Sequence, residues 1–245
     1  MNRAKRTSII FITATDTGVG KTVLTALLLT HLRELGCKAL AIKPFCSGGR
    51  DDASLLCAAQ DNTLTLEEIN PFFFPEPVAP MVSARLHRRS VPIKLVINHI
   101  RKTARLCETL LIEGSGGLLV PLGEDYTVLD LIIRLRCDVI ILARNKLGTI
   151  NHTLLTALAL RNAGFFASRF TFQVSRSSCR SALKVVLMNP RRKDLSSTSN
   201  ARILAELLAP VPLLALPFLG ATCRTPAGVR KAAKISKHIL ARILA

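Results

Sequence analysis

Eight residues near the N-terminus, Thr15-Asp16-Thr17-Gly18-Val19-Gly20-Lys21-Thr22, have the types and spacing of a phosphate-gripping loop. Gly18 and Gly20 let the backbone turn so that successive N–H groups face a β-phosphate. Lys21 adds positive charge toward the β/γ oxygens, and Thr22 offers a hydroxyl to Mg²⁺. Thr15 stands where the G-x-x-x-x-G-K-[ST] pattern has its first glycine. A glycine turn before an ordinary helix is the bland alternative. The lysine, the threonine and the preceding apolar run together favour a nucleotide loop.

A magnesium ion needs more oxygen ligands than one threonine supplies. Glu113 ends the apolar run Leu110-Leu111-Ile112 and precedes Gly114-Ser115-Gly116-Gly117. A carboxylate emerging from a buried strand into a glycine turn reads as a metal- or phosphate-site residue. Asp51 and Asp52 follow a second apolar run, and one of them is expected to reach the same cation. Capping of the next helix is the competing role, above all for Asp51. Lys43 closes the run Ala39-Leu40-Ala41-Ile42. It would place an ammonium at the sheet edge, where a transferring phosphoryl group needs its charge neutralised.

These groups need a scaffold, and the order of elements supplies one. Short apolar strands are predicted at Ser8–Thr13, Lys38–Lys43, Thr109–Ile112, Asp138–Ala143, Val185–Met188 and Val211–Leu216. Helices are predicted at Val23–Leu35, Asp51–Ala59, Ile93–Leu106, Val128–Leu135, Thr149–Asn162, Asn200–Leu208 and Ala227–Leu244. Continuous apolar strands alternating with helices imply a parallel sheet covered on both faces. The expectation is a single α/β domain over residues 1–245 with a P-loop NTPase fold. Phe165–Ser181 resists the pattern: it is long for a connection, carries Arg169, Arg176 and Arg180 without an acid, and reads as a basic insertion.

The loop, Lys43-Pro with Ser47-Gly, Asp52-Ala, Glu113-Gly-Ser-Gly-Gly117 and Lys146-Leu-Gly-Thr-Ile-Asn-His152 together resemble the dethiobiotin synthetases. The likeness runs from Ser8 to Gly164 and resumes from Val185 through Phe218. It implies a homodimeric ATPase that joins CO₂ to 7,8-diaminononanoate using MgATP, closing a cyclic urea in biotin synthesis. Thr at the first loop position is a habit of that family. The resemblance implies phosphate contacts from Gly18, Val19, Gly20, Lys21, Thr22 and Val23, and Mg²⁺ held by Thr22, Asp52 and Glu113. It places Lys43 at the reacting groups and Gly114, Ser115 and Gly116 beside the nucleotide. Asn189 and Pro190, with Leu216, Pro217 and Phe218, would receive the adenine. Ser47 would bind the diamine. Gly148, Thr149, Ile150 and Asn151 would bind its carboxylate from across the dimer. Gly18 replaces an acid that some members carry, and no Asp or Glu follows Glu206.

The bulk numbers narrow the setting. Hydrophobic residues make up 49% of the 245, enough for a sizeable core, but aromatics are 4% and Trp is absent. Aliphatic side chains must therefore fill that core. The formal net charge is +18, and most of the excess lies after residue 164. A solvated basic face is the expectation, since no aromatic interleaving or zinc-ligand spacing points to nucleic acid. Seven cysteines without a C-x-x-C pair suit reduced thiols in the cytoplasm. Leu207–Ala221, broken by three prolines, is too short to span a membrane. Chromosome-partitioning and septum-placing ATPases, which bind DNA or membrane as nucleotide switches, share the loop style but carry a lysine where Asp16 stands here. An inactive paralogue is the remaining alternative.

Overall fold

A computed structural model describes residues 7–164 and 182–245; the basic stretch 165–181 lies outside the described residues. The apolar run β1 (Ser8–Ala14) leads through the glycine loop into α1 (Lys21–Glu34), then β2 (Ala39–Ile42) and β3 (Phe45–Ser47). The middle of the chain contains α2 (Asp51–Ala59), α3 (Leu66–Ile69), β4 (Phe72–Phe74), α4 (Pro80–Leu86) and α5 (Ile93–Ala104). There follow β5 (Thr109–Glu113), the ribbon β6 (Pro121–Gly123) and β7 (Tyr126–Thr127), α6 (Val128–Leu135), β8 (Asp138–Arg144) and α7 (Thr149–Asn162). The last part contains β9 (Leu183–Met188), α8 (Leu195–Leu208), β10 (Leu213–Leu216), α9 (Pro226–Ile235) and α10 (Lys237–Leu244).

Six strands form one parallel sheet in the order β10-β9-β8-β1-β5-β2. The chain leaves β1 for the β2/β5 side, then returns past β1 to build β8, β9 and β10. The order thus reverses beside β1, and the carboxyl ends of β1 and β8 flank the crevice where open α/β sheets bind ligands. The central strands are buried on both faces: Ile12, Ile112, Ile141 and Val185 are fully enclosed. That burial explains their unbroken apolar sequences. Helix α1 is enclosed along most of its length, lying against β2 and β5 with α9 and α10 beyond it.

The edge strand β2 is closed by a side chain. Gln60, wholly buried at the end of α2, accepts from the Ala41 N–H at 3.1 Å and donates to the Ala41 carbonyl at 3.0 Å. Its amide imitates a neighbouring strand at one position and blunts an otherwise open edge.

Several predicted boundaries move by one or two residues, among them the end of α5 at Ala104 and the start of β9 at Leu183, and four changes have a visible cause. Helix α1 starts at Lys21, two residues before the apolar periodicity, because Gly20 reaches φ 111° as its N-cap, a conformation glycine adopts without a Cβ penalty. Helix α8 starts at Leu195: the Asp194 carboxylate accepts from the Ser197 N–H at 2.7 Å and organises a serine-rich turn that propensity marks as loop. Strand β10 starts at Leu213 rather than Val211; Pro212 has no N–H to give. The single helix expected over Ala227–Leu244 is two, broken at buried Ser236, which lets Leu240 and Ile243 turn into the core near β10. The short pair β3–β4 and the β6–β7 ribbon had no expectation attached to them.

Candidate active site

The register of the sheet assembles the site. Ile42 of β2 lies opposite Ile112 of β5, so Lys43 emerges beside Glu113; Ile12 of β1 lies opposite Glu113 itself. Three loops therefore leave adjacent strand ends together. The Lys43 ammonium donates to Glu113 Oε1 at 2.6 Å and to Asp52 Oδ2 at 2.5 Å. The Thr22 hydroxyl donates to the same Glu113 Oε1 at 2.7 Å. Lys43, Thr22, Asp52 and Glu113, separated by up to 91 residues in sequence, form one cluster. Asp51 is not part of it: Arg50 occupies the N-cap of α2, Asp51 is the first helical residue, and Asp52 turns to Lys43.

Burial sets the electrostatics. Glu113 is 1% exposed, and that burial pushes its carboxyl above the usual range despite Lys43 beside it. Burial also opposes the charge on Asp52, but Lys43 outweighs it and holds that carboxyl below its ordinary value. For Lys43, burial works against the ammonium, and Glu113 with Asp52 more than compensates, so its pKa rises. Among the described residues, no carboxylate is in contact with Lys21. Burial lowers it to about 8, with Glu113 pulling the other way, and its ammonium donates to the carbonyls of Gly116 at 2.8 Å and Asp16 at 3.2 Å. A phosphate oxygen would be a stronger partner than either carbonyl.

Four buried side-chain oxygens have no partner among the described residues, Thr13 Oγ1, Ser47 Oγ, Glu113 Oε2 and Ser236 Oγ, and two of them, Glu113 Oε2 and Ser47 Oγ, belong to expected site residues. A buried carboxylate oxygen left without a donor is costly unless a cation or ligand takes it. The donor set of one hydroxyl and two carboxylates suits a hard cation such as Mg²⁺, which keeps further positions for water and phosphate. Those residues fit the ion.

The remaining expected positions spread along the same sheet edge. Gly18, at φ 68°, has its carbonyl bonded by the guanidinium of Arg144 from the end of β8. Val19 is buried and Val23 half-buried. Gly114, Ser115 and Gly116 lead away from Glu113, and the Gly114 N–H returns to Ile12 at 2.9 Å. Asn189 and Pro190 leave β9; Leu216 ends β10 fully buried, while Pro217 and Phe218 are exposed. Gly148 caps α7 at φ 90°, with Thr149 buried, Ile150 half-buried and Asn151 exposed. No hydrogen bond among the described residues joins Gly148–Asn151 to the Lys43 cluster.

Sequence reasoning missed several supporting residues. Asn70, wholly buried, donates to the carbonyls of Lys43 at 3.0 Å and Pro44 at 3.1 Å, and Arg50 in turn grips Asn70. Asn145 and Asn200 form a second buried pair behind Asn189. Asn70 and Asn145, between elements, read as ordinary turn residues, and Asn200 reads as one polar residue of a helix, so no local signal marks these.

The architecture and loop are those of a P-loop nucleotide-binding ATPase domain. Residues 8–207 match the family described as an AAA domain. The chain is 40% identical over 208 residues to the ATP-dependent dethiobiotin synthetase of Anaeromyxobacter sp., covering 80% of this chain and 92% of the relative. It is 44% identical over 159 residues to that of Bacillus licheniformis, covering 63% and 68%. The chain belongs to the ATP-dependent dethiobiotin synthetase family. A plasmid partition protein from Borrelia burgdorferi superposes with a TM-score of 0.61 over 98% of this chain and 99% of its own at 14% identity. That likeness is one of fold alone.

Proposed function

We propose that this protein is an ATP-dependent dethiobiotin synthetase that carboxylates 7,8-diaminononanoate with CO₂ and closes the cyclic urea, releasing ADP and phosphate. The observation that carries the reading is the convergence of Lys43, Thr22, Asp52 and Glu113 beside the glycine loop, with Glu113 Oε2 and Ser47 Oγ buried and unpartnered. ATP is the co-substrate. Thr22, Asp52 and Glu113 would hold Mg²⁺, which when bound neutralises phosphate charge.

The chain's own work is binding and electrostatics. The N–H groups of Gly18 to Val23 bind phosphate oxygens at the start of α1, where the helix dipole favours negative charge. Lys21 exchanges two carbonyl partners for phosphate and is held fully charged there. Ser47 offers its hydroxyl to the diamine. A carbamate on one substrate amine attacks the γ-phosphorus, and the second amine closes the ring on the resulting mixed anhydride. Lys43 stabilises the charge that moves onto the phosphoryl oxygens. Asn189 with Pro190 and the Leu216–Phe218 segment form the base site. Gly148–Asn151 face the substrate carboxylate of a partner subunit in a homodimer, and residues 1–245 form one ATPase domain.

The switch-ATPase reading needs a lysine at position 16. Asp16 is there instead, its carboxylate taken by the Thr17 N–H at 2.6 Å. The test is phosphate release from MgATP and bicarbonate with and without the diamine, following product mass. Diamine-dependent release with a cyclic urea product is expected. Hydrolysis indifferent to the diamine would move the assignment to the switch ATPases, and no hydrolysis would make the chain an inactive paralogue.

A further inference from the structure

We infer that Asn145, backed by Asn200, is a positioning residue that sets nucleobase selectivity by fixing which end of the Asn189 amide faces the ligand. This rests on the base site proposed above. Arg144 of β8 lies opposite Met188 of β9, and the Asn145 N–H continues the ladder to the Met188 carbonyl at 2.9 Å. Asn145 and Asn189 are therefore neighbours at the carboxyl edge. Asn189 is anchored on its other side by its own N–H to the Leu216 carbonyl at 3.0 Å. The preceding residue, Met188, touches the phosphate loop: its Cε lies 3.2 Å from where a Cβ on Gly20 would be.

The three amides form a chain whose direction is dictated by backbone carbonyls. Asn200 Nδ2 donates to the Lys146 carbonyl at 3.1 Å and to Asn145 Oδ1 at 3.0 Å. Asn145 Nδ2 donates to the Ser197 carbonyl at 2.8 Å and to Asn189 Oδ1 at 2.8 Å. Carbonyls of Lys146 and Ser197 only accept, so neither Asn200 nor Asn145 can flip without setting oxygen against oxygen. Asn145 and Asn200 are each 3% exposed, where such a repulsion has no water to relieve it. The chain thus runs one way and ends by donating to Asn189.

The consequence falls on Asn189, which is half-buried. One lone pair of its Oδ1 is occupied by Asn145. The other lone pair and the Nδ2 donors remain for a ligand, and no acceptor among the described residues takes Nδ2. A fixed acceptor–donor pair matches the N6–H and N7 of adenine; guanine offers two acceptors, O6 and N7, to the same edge. An unheld Asn189 could rotate its amide and tolerate O6. Rigid Asn145 removes that freedom.

The measurement is kcat/KM for ATP and for GTP in diamine-dependent phosphate release, on wild type, Asn145→Ala, Asn189→Ala and the double variant. Asn145→Ala is expected to lower the ATP-over-GTP ratio about tenfold, the scale of one amide–base pair, acting on KM more than on kcat. The double variant is expected to match Asn189→Ala alone, because Asn145 acts only through Asn189. An unchanged ratio in Asn145→Ala, with a lowered one in Asn189→Ala, would overturn the relay and leave the base site standing. An unchanged ratio in Asn189→Ala would remove the base site and the relay with it. Should Asn145→Ala not fold, Asn200→Ala releases Asn145 from the other end and is expected to lower the same ratio. No change there would equally reject the relay.

Discussion

Lys43 neutralises Glu113 and Asp52 in the free protein, and in the proposed reaction the same nitrogen would meet the transferred charge. Sequence reasoning alone predicts that its loss stops turnover with little effect on stability. The structure adds a second effect, since without the ammonium Glu113 is a buried acid facing Asp52 with no cation between them. Lys43→Gln is expected to lower kcat for diamine-dependent phosphate release by about 10²–10³-fold, the scale for removing one charge-stabilising donor. In the absence of divalent cation its thermal midpoint should also fall, and added Mg²⁺ should restore part of it. A variant as stable as wild type in chelator would separate Lys43 from the buried carboxylate. Lys43, Glu113 and Thr22 were legible beforehand because a charged or hydroxyl residue at the end of an apolar strand or glycine loop is a local anomaly. Asn70, Asn145 and Asn200 were not legible. Their importance lies in carbonyls brought to them by other segments.

Element boundaries show where local pattern meets packing. Gln60 is the C-cap of α2 and reads as an ordinary polar helix end, yet its amide closes the β2 edge at Ala41. Gln60→Leu would leave a buried N–H and carbonyl without partners, at about 1–3 kcal/mol for each group. A shift of that order in urea-unfolding free energy is expected, and a loss under 0.5 kcal/mol would mean that water or a neighbour takes over. Helix α1 carries a second test. His31 is 2% exposed and its Nε2 has no partner among the described residues. Burial lowers its pKa, with Glu34 opposing and Lys237 of α10 reinforcing. The native state therefore refuses a proton that the unfolded chain accepts. Stability should be full at pH 7.5 and fall as pH drops below the unfolded value of about 6.5, by at most about 1.4 kcal/mol per pH unit. It should level off once pH passes below the folded value. His31→Gln should remove that part of the slope; an unaltered slope would assign it to other groups.

At the scale of the molecule, about a third of the excess charge has a plain location. Arg224, Arg230, Lys231, Lys234, Lys237 and Arg242 all lie exposed on or just before α9 and α10. No aromatic residue follows Phe218 to interleave with them. No helix among the described residues is long and apolar enough to cross a membrane. A face of this kind attracts polyanions only by counterion release. Retention on duplex DNA at about 50 mM salt and release by about 200 mM is expected in a filter-binding titration. Retention beyond that range would indicate a built nucleic-acid site and reopen the partition-ATPase reading.

The chain by itself determined the six strands of the main sheet, most of its helices and the presence of a phosphate loop, because glycine spacing and apolar periodicity are written between near neighbours. It marked Lys43, Asp52 and Glu113 as residues at strand ends or in the loops after them. Only the tertiary structure decided that their side chains meet through Lys43. β5 inserts between β1 and β2, and the register brings Lys43 against a carboxylate 70 residues away. The same holds for the amide chain behind Asn189 and for the break at Ser236. Each depends on which strands become neighbours and which surface a helix must cover, and both are properties of the whole packed core that no local spacing encodes.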